Sequence, residues 1–196
     1  MSLLRAAVVA ALALTATPAL AHDLVPGVSG LTGGLLHPLL VPAHLMALAA
    51  LGLFLGQQPR RTSAGLLAVF TASLIIGVIA IVSAVSPVYQ GDVVLAVAAI
   101  AGLLVALARP ITALLSLSLI AIAGIVLMLD SVPHEMSMQT TFLALVGTVI
   151  AASIMITLVA EAGRALTRDW QRIGVRIVGS WIAASAILVL ALRLAR

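Results

Sequence analysis

Six runs of mostly apolar residues constrain this chain more than anything else in it. They cover residues 32–56, 63–85, 92–108, 110–129, 140–160 and 174–193 of 196, and polar or proline-containing breaks separate them. A helix that crosses a bilayer needs about 20 such residues, so the pattern predicts an all-α, polytopic membrane helix bundle with about six transmembrane helices. Six spans consume about 120 residues, and the short loops that remain leave no room for a soluble catalytic domain. The chain reads as one domain without an evident internal repeat. Small residues four apart, as in Gly30/Gly34, Gly52/Gly56 and Ser73/Gly77, are the spacing that lets helix backbones approach closely in lipid.

Composition agrees: 63% of residues are hydrophobic, 8% are charged, and the mean hydropathy is +1.30, far from a soluble domain. A net charge of +4 and a pI near 11.4 would ordinarily raise a nucleic-acid partner. The sequence has no lysine, and its arginines are scattered between apolar runs without interleaved aromatics, so no nucleic-acid partner is expected. The basicity is a topology signal. Arg60, Arg61, Arg109, Arg164, Arg168, Arg172 and Arg176 fall in the segments expected inside, and Arg193 and Arg196 in those expected outside, as the positive-inside rule requires. The longest polar stretch, "RALTRDWQRIGVR", reads as a positive inner loop with Trp170 at interface depth. The expected location is a bacterial inner membrane, with both mature termini periplasmic.

Residues 1–21, "MSLLRAAVVAALALTATPALA", carry a basic n-region at Arg5, a short apolar stretch and an Ala-Leu-Ala cleavage signal, the pattern of a secretory signal peptide. Removal after Ala21 would leave residues 22–196 as the transmembrane domain. The competing reading is an uncleaved signal anchor.

The chemistry of the chain gathers at the expected outer side. All four histidines lie there, His22, His37, His44 and His134, together with Asp23, Asp92, Asp130 and Glu135. There is no cysteine, which rules out disulfides and thiolate sites and leaves any metal to imidazole, carboxylate, thioether or backbone. Imidazole with carboxylate suits a borderline divalent cation such as nickel, cobalt or zinc. Met46, Met136 and Met138 keep a copper reading open. His37 and His44 are seven residues apart, about 10.5 Å along a straight helix, too far for one ion. Pro38 fits a first helical position with His37 just outside it, and Pro42, lacking an N–H, should kink or open the turn and shorten the gap. Irregular backbone at membrane depth is tolerated where it is buried in protein or lines a cavity. His22 would add a free α-amine after cleavage. In "LDSVPHEMSM", Asp130, His134 and Glu135 are placed to close over the first-helix histidines; equally, Asp130 caps a helix and "SVP" makes a turn. Asp92 reads as an ordinary interfacial residue, and Glu161 and Asp169 as partners for inner arginines. No Ser/His/Asp set, no HExxH and no paired carboxylates on one helix are present, so no enzyme is expected.

The segment "AHDLVPGVSGLTGGLLHPLLVPAHLMALAALGL" resembles the first mature segment of the HupE/UreJ family, membrane proteins of hydrogenase and urease accessory operons regarded as nickel or cobalt permeases. The resemblance spans about thirty residues: a histidine after the cleavage site, a Gly-rich approach, His37-Pro38, His44 and the "HLMALAALG" continuation. Ala43 stands where that family has aspartate, Val41 where it usually has glycine, and its His-Gly-rich motif near the end of the fourth helix is absent here. The resemblance implies a metal permease with His37 and His44 as motif positions. His22, Asp130, His134 and Glu135 are candidate ligands by proximity. The implied ion is nickel or cobalt, with copper or zinc as alternatives, and no tightly bound cofactor is expected. The other expected partners are membrane lipid and a second copy or an accessory protein. The alternative function is a non-transporting, metal-binding accessory subunit.

Overall fold

The structure is a computed structural model and describes residues 29–83, 90–109, 111–132 and 137–195. The expected signal peptide and His22 lie outside these residues. The described chain forms seven helices: α1 Gly30–Leu40, α2 Pro42–Gly56, α3 Arg60–Val82, α4 Gln90–Leu107, α5 Ala113–Leu129, α6 Met138–Ala165 and α7 Asp169–Leu194. Each of the six apolar runs contains a helix among the described residues, and the first holds two instead of one. α3, α6 and α7 are each long and apolar enough to cross a membrane, the bent α1–α2 pair makes a fourth such unit, and α4 and α5 are shorter apolar helices.

Helix boundaries exceed the apolar runs where charged residues follow. α3 begins at Arg60 and not near residue 63, α6 continues through Glu161 and Arg164, and α7 begins at Asp169, five residues before its apolar run. Hydropathy marks the part of a helix that sits in hydrocarbon, whereas the i to i−4 hydrogen-bond ladder continues into the polar layer, where long side chains reach water. Capping sets the other ends. The Thr112 hydroxyl accepts from Leu115 N–H and the Ser137 hydroxyl from Thr140 N–H, each satisfying an orphan donor of a first turn.

α2 is the central element. It lies between α4 and α6, while α1 packs on α6, α3 on α5 and α7 on α4. Ala47, Leu48, Ala50, Leu51, Phe54 and Leu55 of α2 are buried, and Phe70, Leu74, Ile120, Leu127 and Ile156 close the core around them. The outward faces carry Ile79, Ile100, Leu114, Leu158 and Leu188, an apolar surface suited to lipid. Close crossings occur at the small residues. A Cβ at Gly34 would overlap the Ala144 carbonyl, and one at Gly102 would stand 2.7 Å from the Gly179 carbonyl oxygen, so α1/α6 and α4/α7 meet backbone to backbone. Gly52 and Gly56 likewise face α6, and Ser73 and Gly77 face α5 at Gly124 and Met128. The spacings in the sequence are therefore packing faces.

Candidate metal centre

The centre is made by the break in the first apolar run. α1 and α2 meet at 71° across Val41, whose backbone is extended (φ −85°, ψ 111°). The residue before a proline is driven from helical to extended geometry by the Pro ring, and Pro42 then serves as a first helical residue, where its missing N–H costs nothing. The expected assignment of Pro38 is corrected here: it is buried in the last turn of α1, and the N-terminal proline is Pro42. Pro38 removes the N–H that would bond the Gly34 carbonyl. The Thr148 hydroxyl of α6 lies 3.2 Å from that carbonyl oxygen and 3.1 Å from that of Ala144, so a neighbouring helix supplies the donor.

The bend folds the seven-residue spacing back on itself. The rings of His37 and His44 lie 4.9 Å apart between centroids, edge to face at 67°, where a straight helix would hold them about 10.5 Å apart along its axis. His44, in the first turn of α2, is fully buried, and its Nε2 is 2.9 Å from Asp130 Oδ2. Asp130 is the C-cap of α5, so it both ends a helix and reaches one of the first-helix histidines, His44. A carboxylate at a helix C-terminus opposes the dipole, while the first turn of α2 favours it. An ionised carboxylate can only accept, so the contact assigns the ring proton to Nε2 and leaves the lone pair on Nδ1. Nδ1 is buried and has no hydrogen-bond partner among the described residues.

Of the residues expected to contribute, His37, His44 and Asp130 come together, and His22, His134 and Glu135 lie outside the described residues. The three form a relay, ring to ring to carboxylate, and not a closed shell. No group of three or more His, Asp or Glu side chains is set to hold a metal ion among the described residues. Asp92 pairs with Arg193 at 3.3 Å on the same side of the bundle. A Cβ at Gly91 would stand 2.9 Å from Arg193 Nη1 and 3.6 Å from Asp130 Oδ1, so the small residue keeps this approach open.

The model of HupE/UreJ proteins matches residues 10–189. The chain belongs to the HupE/UreJ family. Comparison with curated proteins and with solved structures gave no match. This HupE/UreJ protein is a multi-pass membrane protein, and the bend brings together His37 and His44, the two histidines on which the resemblance of its first segment rested. Where the resemblance led one to expect an aspartate beside the second histidine, the chain has Ala43, half-buried against the apolar cluster that includes Ala47, Val94 and Ala186. The acid on His44 comes from α5, 86 residues away in sequence. Thr148, Gly91 and Arg193 escaped the sequence reading. A missing donor for the Gly34 carbonyl could have been inferred from Pro38, but its source could not. Glu161 does pair with two of the arginines expected inside, Arg60 at 3.2 Å and Arg164 at 3.5 Å.

Proposed function

We propose that this protein is a secondary permease for a divalent transition metal, nickel or cobalt by its family, which captures the ion at the end of the bundle holding His37, His44 and Asp130. The observation that carries this is the proline-broken first span, which sets His37 against His44 and leaves His44 Nδ1 without a hydrogen-bond partner among the described residues while Asp130 holds Nε2. A carboxylate that fixes the tautomer and orientation of a metal-binding imidazole is a common support of metal sites, and its removal typically costs 10–100-fold in metal affinity. Asp130 is on this reading a positioning residue for His44. His37 supplies a second nitrogen. His134 and Glu135 lie outside the described residues and are candidate ligands by sequence position alone, four and five residues beyond Asp130. Few, mixed ligands bind an ion weakly enough to let it leave. The positive-inside rule supports a cytoplasmic location for the opposite, arginine-bearing end, and hence a periplasmic capture site, periplasmic mature termini and six spans, the shorter α4 and α5 included.

A second reading, a non-transporting metal-binding accessory subunit, is favoured by one observation. The hydroxyls of Ser73, Ser116 and Thr157, candidate steps for an ion beyond the capture site, each donate to a carbonyl of their own helix, at 2.7, 3.2 and 2.7 Å. The test is uptake of radioactive nickel and cobalt into proteoliposomes, beside equilibrium metal binding by the purified full chain. Uptake that needs the protein and is lost in His44→Ala supports the permease. Saturable binding lost in His44→Ala, without protein-dependent uptake, supports the accessory subunit. Binding and uptake that are both unchanged in His44→Ala would refute the site.

A further inference from the structure

The end of the bundle opposite the histidines holds a cleft of about 440 Å³, within the range of small-ligand sites. Its wall includes four arginines, Arg109, Arg164, Arg172 and Arg176, and no acidic side chain. Two of the four are tied into the protein. Arg164 donates to the Ser63 hydroxyl at 2.9 Å and to the Gln58 and Leu55 carbonyls at 3.4 and 3.5 Å, and Arg176 Nε donates to the Ala106 carbonyl at 2.8 Å. Arg109 and Arg172 are exposed at the rim, and no side-chain hydrogen bond or ion pair is recorded for either among the described residues.

The helix ends nearby do not account for this charge. α2, α4 and α6 all end beside the cleft, and their C-terminal carbonyls carry roughly half a negative charge each. That leaves roughly two and a half positive charges of the four uncompensated. Glu161 lies outside the lining and is shared between Arg164 and the exposed Arg60. The backbone is also bent to present one of the four. Ala108, at the end of α4, has φ +50°, a left-handed conformation that costs a non-glycine residue and that turns the chain so that Arg109 follows at the cleft wall. Guanidinium groups offer forked donors that match the paired oxygens of a phosphate, and anchored ones are already oriented.

We propose that this cleft is a binding site for a phosphate ester, with Arg109 and Arg172 as its open ligands and Arg164 and Arg176 as its fixed ones. The source of the phosphate is the headgroup of an anionic phospholipid in the surrounding leaflet or a soluble phosphorylated molecule. The proposal is independent of any metal at the other end.

Trp170 is two residues from Arg172 and exposed, and Trp181 is the only other tryptophan, so Trp181→Phe gives a single reporter. In purified full-length protein reconstituted in phosphatidylcholine, Trp170 quenching by dibrominated phosphatidylglycerol is compared with that by dibrominated phosphatidylcholine. The same sample is titrated with inorganic pyrophosphate. A preference for phosphatidylglycerol is expected, falling about fivefold per arginine removed in Arg109→Gln/Arg172→Gln. It should persist in Arg61→Gln/Arg168→Gln, which removes the same charge outside the cleft. Pyrophosphate that relieves the quenching, or alters Trp170 emission without lipid preference, assigns the site to the phosphate group itself. A lipid preference insensitive to pyrophosphate assigns it to the headgroup in a bilayer. If the double variant does not fold, Arg172→Gln alone carries the test, since that side chain makes no hydrogen bond or ion pair among the described residues. Equal quenching by both lipids together with no response to pyrophosphate, or a response unchanged in the cleft variants, overturns the proposal.

Discussion

Replacing Asp130 by alanine isolates the contact on which the candidate centre depends. His44 is 0% exposed and the Asp130 side chain 18% exposed, so the 2.9 Å bond is shielded from water and the surface discount for ion pairs does not apply. A hydrogen bond to a charged group contributes about 1.5–3 kcal/mol, and Asp130→Ala leaves the buried Nε2–H without an acceptor. A stability loss of about 2 kcal/mol is expected, read as a lower thermal midpoint of the purified protein without metal. Metal affinity should fall 10–100-fold, equivalent to about 1.4–2.7 kcal/mol, because His44 loses the group that fixes its tautomer. Asp130→Asn keeps an oxygen acceptor but loses the charge, so both effects should be smaller, with metal affinity reduced less than tenfold. Isothermal titration with nickel and cobalt, run on wild type, Asp130→Ala, His44→Ala and the double variant, separates the contributions. If Asp130 acts through His44, its removal has little further effect once His44 is gone. Additive losses, or an Asp130→Ala protein that binds metal like wild type, would refute the positioning role.

Pro42→Ala should let the helix run through Val41 and draw the rings toward their straight-helix separation of about 10.5 Å. In that background His37→Ala should no longer lower metal affinity, whereas in the native background it should. Thr148→Val, nearly isosteric, leaves the Gly34 carbonyl short of its outside donor and should cost about 1–3 kcal/mol, measured by the same thermal unfolding. Gly34→Ala places a methyl on the Ala144 carbonyl; overpacking of about 1–3 kcal/mol should displace α1 from α6, and metal uptake should fall although no ligand is touched.

The separation of chemistry along the bundle was legible from one-dimensional spacing. Seven arginines lie at one end of successive apolar runs and His37, His44, Asp92 and Asp130 at the other, because each run is one crossing and the chain must alternate ends. The Gly and Ser spacings were legible as packing faces for a similar reason: at four residues they recur on one side of a helix, and at Gly34, Gly52 and Gly77 that side is the crossing point. The prolines announced irregular backbone near His37 and His44, but the helix start expected at Pro38 falls at Pro42. Pro38 stays inside α1, where the Thr148 hydroxyl lies within hydrogen-bond distance of the carbonyl it orphans, and the break falls at Val41, before Pro42 starts the next helix.

By itself, the sequence determined the class of solvent, the number of apolar segments, which residue types could bind a cation and which end of each segment was basic, since these follow from transfer free energy, segment length and residue chemistry. Only the tertiary structure decided that Asp130 meets His44, that Asp92 turns to Arg193, and that four arginines from three segments enclose one cleft. Contacts between residues tens of positions apart depend on how helices are aligned and rotated against one another, and that is set by the summed packing of many small residues, which no local pattern encodes.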